Sequence, residues 1–148
     1  MSFAIKLRAR EAKHAEALQA RLRLQDISLY ECAAKGAGPP NAAVGPVTLT
    51  ADLNSAVSLV DDSGVDFAVT LRVACEDELT FHIETTFLVR YQFFSGAKPA
   101  SKTELTAFCK SYPALAAWPY IRETVQALAW RMGFPTEPLP LLRLGVLA

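Results

Sequence analysis

The sequence predicts an α+β fold: a four-stranded antiparallel sheet with a crossover loop after its first strand, an N-terminal helix, and C-terminal helices packed on the sheet. Three observations predict it. Apolar and polar residues alternate along consecutive segments between residues 47 and 94 that are joined by short polar turns, as antiparallel strands with one buried face require. A segment rich in Ala, Leu, Glu, Lys and Arg, without Gly or Pro, precedes them. After them the apolar spacing changes to i, i+3, i+4, i+7, the period of a helix.

The first element is a predicted helix over residues 4–25, with Ala15, Leu18 and Leu22 on one narrow stripe. It serves either as an arm packed on a partner or as a cover for the chain's own core. Residues 24–31 read as a short strand. Gly36, Gly38, Pro39, Pro40, Asn41, Gly45 and Pro46 then make a loop over residues 35–46. Val47, Leu49, Ala51 and Leu53 alternate with polar residues, and Asp61-Asp62-Ser63-Gly64 supplies turn chemistry. Phe67, Val69, Leu71, Val73 and Cys75 form the next apolar row, and Glu76-Asp77-Glu78 a hairpin tip. From Leu79 the alternation resumes through Phe81, Ile83, Thr85, Phe87, Val89, Tyr91 and Phe93. The opposite face of that strand begins polar but includes Leu88 and Phe94, as a partly covered face would.

Ser101-Lys102-Thr103-Glu104 fits a capping box opening a helix, with Leu105, Phe108, Cys109 and Tyr112 as its stripe and Pro113 as its break. Pro119 fits the first turn of the next helix, where a missing N–H costs nothing. Ile121, Val125, Leu128 and Met132 line its face, and Gly133 is placed to end it in the left-handed conformation. Pro135, Pro138 and Pro140 then keep a Leu-rich tail extended.

Composition limits the function. The chain has 148 residues, 51% of them hydrophobic and 20% charged, which suits one domain over residues 1–148, divided into a helical arm (1–23) and a core (24–148). Mean hydropathy is +0.19. No apolar run reaches the ~20 residues of a membrane span, and Lys6, Arg8, Arg10 and Lys13 do not introduce a secretory signal, so no membrane insertion is expected. The surplus apolar content must enter a core, a subunit interface or a binding surface. Fifteen basic residues balance fifteen acidic ones, which gives no support for a nucleic-acid partner. Cys32, Cys75 and Cys109 are widely spaced and His14 and His82 isolated, so neither a disulfide framework nor a metal site is expected, and a cytoplasmic location follows. His82 and Glu84 share a strand face, an arrangement commoner as a surface contact than as an acid–base pair. Without a nucleophile–base set or a phosphate loop the chain does not read as an enzyme, and no cofactor is implied.

Trp118-Pro119-Tyr120-Ile121-Arg122-Glu123, followed by Gly133-Phe134-Pro135 and the apolar tail from Leu139 to Leu147, resembles the signature of the SecB family of export chaperones. Gln25-Asp26-Ile27-Ser28 and Phe81-His82-Ile83-Glu84 are similar to local pieces of that family, and the resemblance runs from about Arg21 to Leu144. It implies a SecB-like sheet and a homotetramer, a dimer of dimers, that holds unfolded polypeptides in apolar grooves. Each buried client side chain would contribute about 1.5–3 kcal/mol, without ATP. The resemblance places the groove between Leu29, Tyr30, Val44 and Val47 on one side and Leu139, Leu141, Leu142 and Leu144 on the other. Several of these, Leu29 and Val47 above all, could instead complete the core. Asp26 and Glu84 match positions that contact the SecA motor, although Tyr30 stands where the family often has a second acid.

Departures redirect the expectation. Leu142-Arg143-Leu144 replaces the family's Pro-Val-Asn-Phe, and the family's last long helix and SecA-binding tail have no counterpart before Ala148. Glu104-Leu105-Thr106-Ala107-Phe108 resembles a segment of the SecB-like chaperones associated with toxin–antitoxin systems. That resemblance implies an antitoxin as client, in place of preproteins delivered to SecA. An adaptor with the same fold but no holding activity is the remaining alternative.

Overall fold

The computed structural model describes residues 3–36, 49–75, 81–133 and 138–147. In chain order these form β1 (Phe3–Arg8), α1 (Ala9–Gln19), β2 (Leu22–Gly36), β3 (Leu49–Val60), β4 (Gly64–Cys75), β5 (Phe81–Phe93), α2 (Lys102–Cys109), α3 (Tyr112–Arg131) and β6 (Leu142–Leu147). The strands from β2 to β5 make one antiparallel sheet in the order β2-β5-β4-β3, while β1 and β6 pair separately and in parallel. The α+β expectation and the four-stranded sheet with helices at both ends hold.

Period-2 alternation decides which face is buried. Val65, Phe67, Val69, Leu71 and Val73 on β4, and Phe81, Ile83, Thr85, Phe87, Val89 and Tyr91 on β5, all turn inward and are buried. The apolar face of α3 lies over them through Ala117, Trp118, Ile121, Val125 and Ala129, and α2 adds Phe108. Phe108 stacks on Tyr112 at 5.2 Å and meets Tyr91 edge-on at 5.0 Å. Such ring pairs are worth about 0.5–1.5 kcal/mol beyond their buried area. The outer face of the sheet carries Ala68, Thr70, Arg72, His82, Glu84, Thr86 and Leu88, which are half-exposed apart from an exposed Arg72.

The turn between β3 and β4 is built as its sequence asks. Asp61 Oδ1 accepts from the Ser63 and Gly64 amides and from the Ser63 hydroxyl. A Cβ at Gly64 would collide with the Tyr91 carbonyl oxygen, so only glycine permits the strands to close there. The capping box at Ser101 also forms, with Ser101 Oγ accepting from the Glu104 amide and Glu104 Oε1 accepting from the Ser101 amide. Glu104 does more than cap. Arg21, just beyond α1, donates to both of its oxygens at 2.7 and 2.8 Å, which fastens the end of α1 to the start of α2.

Four expectations need correction. The helix expected over residues 4–25 is confined to Ala9–Gln19, because Phe3, Ile5 and Leu7 alternate and pair with β6, and Leu22 already belongs to β2. The segment does pack on the chain's own core, one of its two expected roles: Leu18 and Leu22 join the main core, and Leu7 and Ala15 pack with Ala107. The first strand of the sheet runs 15 residues rather than eight, since the 13 residues of β5 offer a partner along its length. Pro113 does not end a helix; it lies in the first turn of α3, and Pro119 sits inside that helix. Pro119 removes the bond that an amide there would give to the Leu115 carbonyl. Burial of Trp118, Ile121 and Val125 on either side holds the helix through it. The expected loop lies outside the described residues apart from Lys35 and Gly36, which end β2. The Glu76-Asp77-Glu78 tip lies outside them entirely.

Candidate client-binding surface

Two apolar strips remain uncovered. The first follows β2, the edge strand of the sheet. Leu24 and Leu29 stand opposite buried Tyr91 and Phe87 in register, so they face the helical side of the sheet. The helices cover β4 and β5 and leave β2 largely bare, so Leu29 is 50% exposed. The register slips once between Leu24 and Asp26 and again between Leu29 and Glu31, which makes Gln25 and Tyr30 the extra residues of two bulges. Tyr30, the one aromatic residue of the strand, is 68% exposed. Across the sheet, Val57 and Val60 on β3 are exposed on the same side, opposite Phe67 and Val65.

The second strip is the tail, and α3 holds it. Trp118 Nε1 donates to the Pro140 carbonyl at 2.9 Å, and Arg122 Nε donates to the Leu139 carbonyl at 2.7 Å. Trp118 and Arg122 are four residues apart, one above the other on a helix, so a single helical face grips two successive carbonyls. Pro138 and Pro140 have no amide to offer a ladder, and the side-chain hydrogen bonds from α3 reach the stretch through its carbonyl oxygens. Phe3 packs on the Trp118 ring at 4.9 Å, which ties β1 to the same anchor. Leu139 plugs into the core at 6% exposure, Leu142 is half-buried against it, and Leu141, Leu144, Val146 and Leu147 face outward.

The sequence-derived candidates therefore divide. Leu29, thought able to complete the core, is half-exposed, as is fitting for a contact residue. Tyr30, Leu141 and Leu144 are exposed; Leu139 is a core residue, and Leu142 is partly one. Val44 and Val47 lie outside the described residues. Leu24, Val57 and Val60 were not singled out by sequence reasoning. Their alternation gives the face but does not show where the helices stop covering it.

Asp26 and Glu84 share the outer face, but they are not together. Asp26 stands opposite Arg90 and Glu84 lies six residues further along β5, about 20 Å at ~3.3 Å per residue. Glu84 accepts two bonds from Arg72, at 3.0 and 3.1 Å. His82 Nε2 is 4.0 Å from the same oxygen, a surface contact in which Arg72 already occupies the carboxylate. Among the described residues no group of His, Cys, Asp and Glu is gathered for a metal ion, and no helix is long and apolar enough to cross a membrane.

A four-stranded antiparallel sheet with a long bulged edge strand, helices on one face and an extended apolar tail pinned to the last helix is a SecB-like fold. The comparisons agree. No family model matches the chain. Two curated relatives, the SecB-like chaperones Rv1957 and MT2006 of Mycobacterium tuberculosis strains H37Rv and CDC 1551, are each 27% identical over 147 aligned positions, covering 84% of this chain and 80% of theirs. The solved structure of the Mycobacterium tuberculosis Rv1957 SecB-like chaperone, in complex with a ChAD peptide from the Rv1956 HigA1 antitoxin, matches with a TM-score of 0.76. It is 22% identical, over 90% of this chain and 96% of that one.

Proposed function

We propose that this chain is an ATP-independent holdase that binds extended, aggregation-prone segments, and that its client is the antitoxin of a toxin–antitoxin pair. The observation that carries the reading is the pair of uncovered apolar strips, at Leu24, Leu29 and Tyr30 and at Leu141, Leu144 and Val146. Exposed apolar surface on this scale calls for a partner. The likeness to a SecB-like chaperone solved with an antitoxin peptide supports a polypeptide as that partner. Apolar burial supplies the binding energy, about 25 cal/mol per Å² removed from water, and no nucleotide is needed.

The chain acts as one domain in the cytoplasm and assembles as a dimer of dimers. Delivery of preproteins to SecA is the second reading. Asp26 and Glu84, on the outer face of the sheet, are its motor contacts. The test is co-purification from the native host with mass spectrometry of bound chains, together with an aggregation assay lacking nucleotide. A bound antitoxin kept soluble by the protein supports the first reading, and preproteins with SecA return the second. A protein that binds nothing and suppresses no aggregation leaves an adaptor with this fold.

A further inference from the structure

The holdase reading absorbs the apolar strips and leaves the basic N-terminal segment without a role. Its side chains converge on an open cleft of about 780 Å³ lined by Arg8, Arg10, Glu11, His14, Thr103 and Lys110. Among the described residues of that lining the one acid, Glu11, is taken by Lys110 Nζ at 2.7 Å and also feels the charge of Arg8. Arg8 and Arg10 have no ion pair among the described residues. Lys102 lines the adjoining hollow with His14 and Thr103, so positive charge continues across the mouth. Zero net charge thus hides a cationic pole, with the acidic turn at Asp61 and Asp62 elsewhere on the sheet.

The position of the cleft gives this pole a use. β6 runs parallel to β1, and its register sets Leu147 opposite Arg8. The exposed apolar residues Leu144, Val146 and Leu147 therefore lead directly to the rim of the cleft. At ~3.3 Å per residue, a client lying along the tail carries its next two or three residues over Arg8 and Arg10. Among the described lining residues there is no Phe, Tyr or Trp and His14 is the one ring, a poor platform for successive bases, which favours a polypeptide over a nucleic acid.

We infer that the cleft between α1 and α2 binds an acidic segment that flanks the apolar stretch of the client, and so selects the client and fixes its direction. The inference rests on the holdase reading. Apolar burial is non-directional, and a charge at one end of the stretch supplies the register that burial alone does not.

The test is fluorescence anisotropy of the full chain with labelled peptides that share a Leu/Val-rich core and end in oligo-Glu, oligo-Ser or oligo-Lys. The Glu-tailed peptide is expected to bind about three- to tenfold tighter than the Ser-tailed one at low salt, with the advantage gone in about 0.5 M NaCl. In the variant carrying Arg8→Gln and Arg10→Gln, checked for an unchanged melting temperature, the ratio between the two peptides falls to one. Equal binding of both peptides by the unaltered chain overturns the inference, as does an advantage that survives in the variant. Displacement of the Glu-tailed peptide by a single-stranded oligonucleotide at equal charge overturns it too, by revealing a general polyanion site. If the Ser-tailed peptide does not bind at all, the holdase reading falls and takes this inference with it.

Discussion

Arg122 Nε donates to the carbonyl of Leu139 at 2.7 Å, and one helical turn earlier Trp118 Nε1 donates to the carbonyl of Pro140 at 2.9 Å. The resemblance that rests on these residues thus has a mechanical basis. α3 grips a stretch with few donors and holds it extended, with Leu139 inside and Leu141 outside.

If that grip holds the tail, Arg122→Ala should loosen it without unfolding the sheet. A hydrogen bond from a charged donor is worth about 1.5–3 kcal/mol, so amides of β6 and β1 should exchange at least about tenfold faster while those of β4 and β5 keep their protection. Trp118→Phe, which keeps the ring against Phe3 and removes the donor, should do the same to a smaller extent. Unchanged exchange in β6 would mean that pairing with β1 holds the tail by itself.

Glu104 makes stability depend on pH. The two-fold bond from Arg21 holds its carboxyl well below the usual range, at about 2, against an opposing push from burial. A carboxyl depressed in the folded state contributes fully above the usual carboxylate range. The contribution drains away as pH falls from about 5 towards 2, because the unfolded chain takes up the proton first. Urea midpoints across that window should therefore fall with acid, and Glu104→Gln should flatten the slope while costing about 2–3 kcal/mol near neutral pH. A steep acid limb retained in Glu104→Gln would assign it to other carboxyls.

Much of this was legible in the sequence, and the misses share a cause. The alternation of Phe67 to Val73 and Phe81 to Tyr91 marked the buried face, since one register puts all of these large apolar side chains inside and leaves Leu88 as the one large apolar residue of those segments on the outer face. Ser101-x-x-Glu104 and Gly133, whose φ is 79°, also behaved as local chemistry dictates. Residues 3–8 did not, because their strand exists only through pairing with β6 at the far end of the chain. Pro119 misled for the same reason: its place inside a helix depends on the burial of Trp118 and Ile121 against a sheet. At the candidate site, sequence named Leu29 and Tyr30 but could not show that the helices stop short of β2.

Thr85 offers a test of packing alone. It occupies an inward position between Ile83 and Phe87, fully buried, and its hydroxyl has no hydrogen-bond partner among the described residues. Thr85→Val keeps the shape and removes a desolvated polar group, so it should stabilise the protein by about 1 kcal/mol and raise the melting temperature by about 2–4 °C. A lower melting temperature would reveal a partner for the hydroxyl, a buried water among the possibilities.

The tail allows contact residues to be separated from core residues within three positions. Leu139 is 6% exposed and Leu141 is 64% exposed, though both belong to one extended, proline-flanked stretch. Leu139→Ala should cost about 2–4 kcal/mol through the cavity it leaves, with client affinity altered only as the fold weakens. Leu141→Ser, alone or with Leu144→Ser, should change stability by less than about 0.5 kcal/mol and weaken an apolar client peptide by about tenfold for the pair. Melting temperature and peptide affinity measured side by side distinguish the cases. Were Leu141→Ser to lower the melting temperature as far as Leu139→Ala does, another surface must already cover Leu141 in the native protein. The client would then have to displace that surface rather than meet an open strip, and binding would carry the cost of the exchange.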